Sequence, residues 1–167
     1  MLAIGVDPGT ATTGYGLVRL ENDGELTAID FGVILTPADL PMPERLLELH
    51  RKLNQIITLH QPKQGAVEKL FFQRNVRTAM AVSQARGICL LAMAETGLQV
   101  AEYTPLEVKL AVAGYGGADK NQVQQMVRVL LGLKDIPRPD DAADALAVAI
   151  CHLHSDWTRN ITRGNPV

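Results

Sequence analysis

Four acidic residues come from three separate parts of this 167-residue chain, each where a regular element stops or starts. Asp7 and Glu68 follow short apolar runs, whereas Asp141 and Asp144 open a stretch with helical periodicity. If the fold brings these parts together, the carboxylates repel one another unless a cation lies between them. Hard cations such as Mg²⁺ prefer oxygen ligands of this kind. The spacing therefore predicts a fold in which two strand ends and one helix start meet at a metal site.

The rest of the chain alternates short apolar runs with amphipathic stretches, which favours an α/β fold. Predicted strands cover 2–7, 14–20, a run ending at Leu35, 66–68 and 98–103, with a turn at Asn22-Asp23-Gly24 between the second and third. Predicted helices end near Pro62, cover 75–95, surround Lys109, and cover 119–131 and 141–157. We expect a mixed five-stranded sheet flanked by helices.

Length and composition indicate one domain. The chain is 47% apolar, which is enough for one sizeable core and too little for two comfortable domains at this length. We expect a domain over residues 1–157 and a C-terminal tail over 158–167. No apolar stretch reaches membrane-spanning length and no targeting segment is evident, so a cytoplasmic location without membrane contact is expected. Cys89 and Cys151 lie in apolar helical stretches and are expected to be buried, reduced thiols.

The distribution of charged residues along the chain says more about a binding partner than the net charge does. The formal net charge is only −2, which argues neither for nor against nucleic acid. Between Glu68 and Glu95, however, the charged residues are all basic, namely Lys69, Arg74, Arg77 and Arg86. A basic stretch directly after a proposed metal ligand suits a phosphodiester substrate. The acids and this stretch together favour a metal-dependent nuclease.

Each acid also has an ordinary structural interpretation. Asp7 precedes Pro8 and Gly9 and could be a turn aspartate, and Glu68 could face water from an edge strand. Asp141 and Asp144, three residues apart, share one helix face but could form a capping box alone.

Three segments, in their order and separation, resemble the RuvC family of Holliday junction resolvases. They are V-D-P-G-T-A-T-T-G-Y-G near the start, V-E-K-L-F-F after residue 66, and D-A-A-D-A-L-A-V-A-I from residue 141. The resemblance spans nearly the whole chain. It implies a ribonuclease H-like fold, a homodimer, and Mg²⁺-dependent endonuclease activity on four-way DNA junctions in recombination and repair. It also implies a branch-migration partner of the RuvAB type.

The resemblance assigns roles to particular residues. It places the catalytic and metal-binding acids at Asp7, Glu68, Asp141 and Asp144, and DNA-binding side chains at Phe71, Phe72, Lys109 and Lys120. The register of D-A-A-D-A-L selects Asp141 over the adjacent Asp140, which is expected to cap the helix. Arg74 and Arg77 are expected to hold the DNA backbone, although any of these basic residues could belong to a solvated helix face.

The implied mechanism uses two Mg²⁺ ions, about 4 Å apart, to activate a water and to stabilise the leaving 3′ oxygen. Mn²⁺ is expected to substitute for Mg²⁺, and the products are a 5′ phosphate and a 3′ hydroxyl. An exposed Phe71 or Phe72 would stack on unpaired bases at a crossover, but the pair could equally pack in the core or a dimer. The Ala-rich helix at 75–95 is the candidate dimer interface, and packing within one subunit explains the same composition.

Three other functions are compatible with parts of the pattern. The phosphate-loop-like D-x-G-T also resembles the actin, Hsp70 and sugar-kinase superfamily, which would make the chain an ATP-binding phosphotransferase, although its length leaves no room for a second lobe. An RNA-processing nuclease could carry the same acids. A non-catalytic junction-binding module is disfavoured because all four acids are present.

Overall fold

The computed structural model describes residues 1–69 and 76–162, with the backbone alone for 76–78 and 157–162. Its elements follow in chain order: β1 (Leu2–Asp7), β2 (Thr12–Leu20), β3 (Leu26–Leu35), α1 (Met42–His60), β4 (Gln64–Glu68), α2 (Val76–Glu95), β5 (Gln99–Tyr103), α3 (Pro105–Ala113), α4 (Lys120–Leu130) and α5 (Asp140–Thr162). All the predicted strands and helices are present.

The five strands form one mixed sheet in the order β3-β2-β1-β4-β5, which confirms the predicted architecture. The first three strands form an antiparallel meander, whereas β4 and β5 run parallel to β1. Parallel strands end at the same edge of a sheet, so Asp7, Glu68 and Tyr103 all lie at one edge.

Helices cover both faces of the sheet and create two apolar cores. On one face, Ala3 and Ala66 pack with residues of α3, α4 and α5. On the other, Ile4 and Val67 pack with residues of α1 and α2. Successive residues of a strand point to opposite faces, so Asp7, four residues after Ala3, points to the α5 side.

The α5 helix lies unusually close to the sheet because glycines face it. A Cβ on Gly5 would lie 2.2 Å from the carbonyl oxygen of Ala145, and one on Gly14 would lie 1.9 Å from that of Asp141. No other residue leaves room for the helix backbone at these positions. The first turn of α5, which carries Asp141 and Asp144, is thereby brought to the strand ends.

Some boundaries differ from the sequence prediction. The β2 strand begins at Thr12, two residues early, because Thr12 and Thr13 pair with the end of β3. The α5 helix continues to Thr162, five residues past the predicted end at Trp157. Cys89 and Cys151 are buried and unbridged, as predicted. Within residues 1–69 and 76–162, none of the helices has the length and apolar character needed to cross a membrane.

Candidate active site

A cavity of about 200 Å³ opens at the sheet edge where β1 and β4 end. Asp7 and Glu68 line it from these strands, and Asp144 lines it from α5. Lys109 from α3 and Lys120 from α4 complete its charged wall. Its apolar wall consists of Pro105, Val108, Val123, Ala147 and Val148. The cavity therefore collects three of the four predicted acids and both predicted lysines.

The fourth acid, Asp141, is not part of the cavity lining but acts on it through its charge. Its negative charge raises the pKa of Asp7 and contributes to the same shift at Asp144. Because Asp141 and Asp144 are three residues apart on α5, they share one helix face. All four acids are thus electrostatically coupled at one end of the sheet.

Burial and mutual repulsion make these carboxylates hard to ionise together. Burial, followed by the charges of Asp144, Glu68 and Asp141, raises the pKa of Asp7 from 3.8 to about 7, against an opposing effect of Lys120. Burial and then Asp144 raise the pKa of Glu68, while Lys109 lowers it. The site as it stands has more negative charge than its lysines offset, which is the condition a bound cation relieves.

Lys120 forms an ion pair with one of the acids. Its Nζ lies 2.9 Å from Oδ2 of Asp144, and this hydrogen bond raises the pKa of the lysine. Lys120 is placed there by the start of α4, where Asp119 and Gln122 form a capping box that fixes the first turn. The Asp119 side chain accepts from the Gln122 amide at 2.8 Å.

Asp140 is not the cap that the sequence predicted. It is the first residue of α5, and the carbonyl of Pro139 before it accepts a hydrogen bond from the amide of Ala142 at 3.0 Å. The Asp140 carboxylate instead binds basic groups. Its Oδ1 accepts from the Arg138 guanidinium, and its Oδ2 lies 3.4 Å from Nζ of Lys120.

The donor set fits a hard divalent cation, since it consists of carboxylate oxygens whose ionisation is opposed in the metal-free protein. In the described part of the chain, no three Asp, Glu, His or Cys side chains are arranged to hold one ion as they stand. To bind one, the carboxylates of Asp7, Glu68 and Asp144 would have to turn towards it. The ion would then compete with Lys120 for the Asp144 carboxylate.

The remaining DNA-binding predictions are only partly covered by the structure. Lys109 and Lys120 line the cavity, as noted. Phe71, Phe72 and Arg74 lie outside the described residues, and Arg77 lies in the first turn of α2 with its side chain outside them. Sequence reasoning missed the contact between Asp140 and Lys120, for which the pattern carries no signal because it depends on how α4 packs on α5. It also missed the apolar wall, which appears in the sequence only as helix periodicity.

Comparison with known proteins agrees with this geometry. The family model for the crossover junction endodeoxyribonuclease RuvC matches residues 3–152. The protein of that name from Chloroflexus aurantiacus is 60% identical over 155 residues, which cover 93% of this chain and 94% of the relative.

Two solved structures of Thermus thermophilus RuvC share the fold. One superposes with a TM-score of 0.89 at 37% identity, covering 95% of this chain and 97% of the other. The second, in complex with Holliday junction substrate, gives 0.87 at 35% identity, covering 95% and 96%. These matches confirm the ribonuclease H-like fold and the resemblance found in the three sequence segments. The chain belongs to the RuvC family of crossover junction endodeoxyribonucleases.

Proposed function

We propose that the chain is a structure-selective endonuclease that resolves four-way DNA junctions by paired, symmetric nicks, in homologous recombination and DNA repair. The observation that carries this proposal is the cavity in which Asp7, Glu68 and Asp144 face Lys109 and Lys120. Carboxylates and ammonium groups in one cavity suit a phosphodiester and its metal. The family membership and the junction complex of the Thermus relative support the choice of substrate.

In this proposal Asp7, Glu68, Asp141 and Asp144 hold two Mg²⁺ ions, with Mn²⁺ as a substitute. When bound, such ions activate a water and stabilise the leaving 3′ oxygen, which gives 5′-phosphate and 3′-hydroxyl ends. Lys109 and Lys120 offset the charge of the scissile phosphate. The apolar side chains of the same cavity lower the local polarity around the acids and so strengthen these charge interactions.

Two matched nicks require two matched sites, so we propose a homodimer with a two-fold axis. The surface of α2 supports this assignment. Met80 is 63% exposed and Leu91 is 48% exposed on this helix, which packs on α1 and β5 with its other residues. Met80 and Leu91 are eleven residues apart and so lie on the same face of α2, where a second copy of the chain could cover both.

The remaining parts of the proposal rest on the family resemblance. Phe71 and Phe72 are proposed to contact bases at the crossover, and Arg74 and Arg77 to contact the backbone. A RuvAB-type branch-migration complex is proposed as partner, and the cytoplasm as location. The division into a nuclease domain at 1–157 and a tail at 158–167 also stays a proposal.

The proposal is tested with the purified protein and three labelled substrates. A mobile four-way junction, a linear duplex and an RNA–DNA hybrid are incubated with and without Mg²⁺, and nick positions are mapped; ATP hydrolysis is measured without DNA. Paired symmetric nicks on the junction alone, dependent on Mg²⁺, are expected. Cleavage confined to the RNA–DNA hybrid would favour an RNA-processing nuclease, and DNA-independent ATP hydrolysis would favour a phosphotransferase.

A further inference from the structure

Asp140 is the one acid of the α5 start that the family motif does not use, yet its carboxylate contacts Lys120, which lines the cavity. It precedes Asp144 by four residues, so the two side chains lie on the same helix face. Asp140 is 43% exposed and Asp144 is 34% exposed, which places Asp140 nearer to the solvent. On this helix face, Asp144 is thus the inner carboxylate and Asp140 the outer one.

Lys120 bridges these two positions. Its Nζ lies 2.9 Å from Oδ2 of Asp144 and 3.4 Å from Oδ2 of Asp140. Both acids contribute to the raised pKa of the lysine, the hydrogen bond to Asp144 most strongly. A short movement of the flexible lysine side chain therefore exchanges one carboxylate for the other.

Arg138 holds Asp140 in the orientation that this exchange needs. Its guanidinium contacts Oδ1 of Asp140 and so leaves Oδ2 directed at Lys120. Asp140 thereby remains an available anion while Asp144 is occupied. Among the described residues, Asp140 is the carboxylate other than Asp144 that lies within ion-pair distance of Lys120.

A cation bound at the acids competes with Lys120 for Asp144, because both positive charges are drawn to the same carboxylate. We propose that Asp140 is a positioning residue for Lys120. It lowers the cost of releasing Asp144 to the metal and retains the ammonium beside the cavity, where the scissile phosphate will need it. This inference rests on the proposed metal site and adds a role for a residue outside the motif.

The test is a double-mutant cycle read by calorimetric titration of Mn²⁺ into the full-length, DNA-free protein. Asp140→Asn is expected to weaken Mn²⁺ binding by roughly two- to fivefold, the range for a partly exposed ion pair. The same substitution in a Lys120→Gln background is expected to change the affinity little, since there is no ammonium left to place. Asp23→Asn is the charge-matched control, because Asp23 lies in the β2–β3 turn at the opposite end of the sheet.

The outcomes separate the two proposals. If Asp140→Asn weakens Mn²⁺ binding equally with and without Lys120, Asp140 acts only through its field on the metal and the positioning role is wrong. An unchanged affinity in the single variant also overturns it. If the wild-type protein binds no Mn²⁺ at all, the metal site of the proposed function fails, and the inference falls with it. Melting temperatures of all variants verify that each is folded.

Discussion

Gly14 on β2 faces the backbone of Asp141 on α5 so closely that a Cβ on Gly14 would lie 1.9 Å from the Asp141 carbonyl oxygen. This contact joins the strand beside Asp7 to the helix turn that carries the other two aspartates. In register, Gly14 is also the partner of Asp7 across the β1–β2 pair. The glycine therefore sets how near the α5 acids come to Asp7.

Replacing Gly14 with alanine should shift the start of α5 away from the sheet. We expect a loss of about 1–3 kcal/mol in the free energy of unfolding, typical of an overpacked core position. The rate of junction cleavage should fall by more than the loss of stability alone explains, because the acids no longer meet at one point. Gly87→Ala is the control for the unfolding measurement, since a Cβ there meets nothing within 4 Å in the single chain and alanine favours the α2 helix. Wild-type cleavage in Gly14→Ala would show that the close approach is unimportant.

The raised pKa of Asp7 predicts a pH-dependent stability in the metal-free protein. Because the folded state holds this proton with a pKa of about 7 against 3.8 ordinarily, it binds the proton more tightly than the unfolded state. The Asp7 contribution to stability is therefore present at low pH, declines as the pH rises from about 4 to about 7, and is absent above that range.

Asp7→Asn removes this effect. The melting temperatures of Asp7→Asn and the wild type are compared with EDTA present. We expect Asp7→Asn to melt above the wild type, and this gap to be a few degrees larger at about pH 8 than at about pH 5. At this chain length, ~1 kcal/mol corresponds to about 2–4 °C. Asp23→Asn should show no such pH-dependent difference. The expectation fails if the gap between Asp7→Asn and wild type is the same at both pH values.

A buried hydrogen-bonded chain fixes α5 to β4 and β5, the strand of Glu68 and its neighbour. The Tyr103 hydroxyl lies 2.9 Å from Nδ1 of His152, and Nε2 of His152 lies 2.9 Å from Oε1 of Gln64. The Gln64 amide in turn donates to Asp156 at 3.4 Å. A carboxylate accepts only, so Nε2 of His152 carries the proton and Tyr103 donates to Nδ1.

Tyr103→Phe removes one donor from this chain without changing the shape of the core. We expect a loss of about 1–3 kcal/mol, because a buried acceptor loses the hydroxyl that it binds. Tyr115→Phe removes a similar hydroxyl, bonded to Gln122 at 2.6 Å on the exposed surface, and should cost less than about 0.5 kcal/mol. Denaturant unfolding compares the two, and equal losses would argue against a special role for the buried chain.

The order of elements and the location of the acids could be predicted from the sequence for a physical reason. Buried parallel strands appear as apolar runs, and a charge at the end of such a run must lie at the sheet edge, as Asp7 and Glu68 do. The start of β2 was missed because Thr12 and Thr13 are not apolar, and only their pairing with β3 makes them strand.

The contact between Asp140 and Lys120 was missed for a different reason. The local sequence pattern cannot distinguish the residue that caps a helix from the first residue inside it, which is the next residue in the chain. Its partner Lys120 lies 20 positions earlier, at the start of another helix, and the contact follows from tertiary packing of α4 against α5. Contacts between helices of this kind leave no periodic trace in the sequence.

The assignment of Asp141 rather than Asp140 as a metal ligand is tested by comparing their asparagine variants in junction cleavage. Asp141→Asn should reduce the cleavage rate by more than about 100-fold. Loss of a residue that only supports a metal ligand typically reduces activity by less than this. Asp140→Asn should reduce the cleavage rate less, because it changes only the placement of Lys120. Added Mg²⁺ should restore part of the lost rate. If Asp140→Asn alone abolishes cleavage, the register is wrong by one residue.

The central claim is that the acids perform the cleavage step on a junction that the rest of the surface binds. Glu68→Gln tests it most directly, since it removes one charge with little change of shape. Its binding to a four-way junction and its single-turnover cleavage with Mg²⁺ are measured beside the wild type. We predict binding within about threefold of wild type and a cleavage rate reduced by more than about 100-fold. Cleavage at the wild-type rate would contradict the account.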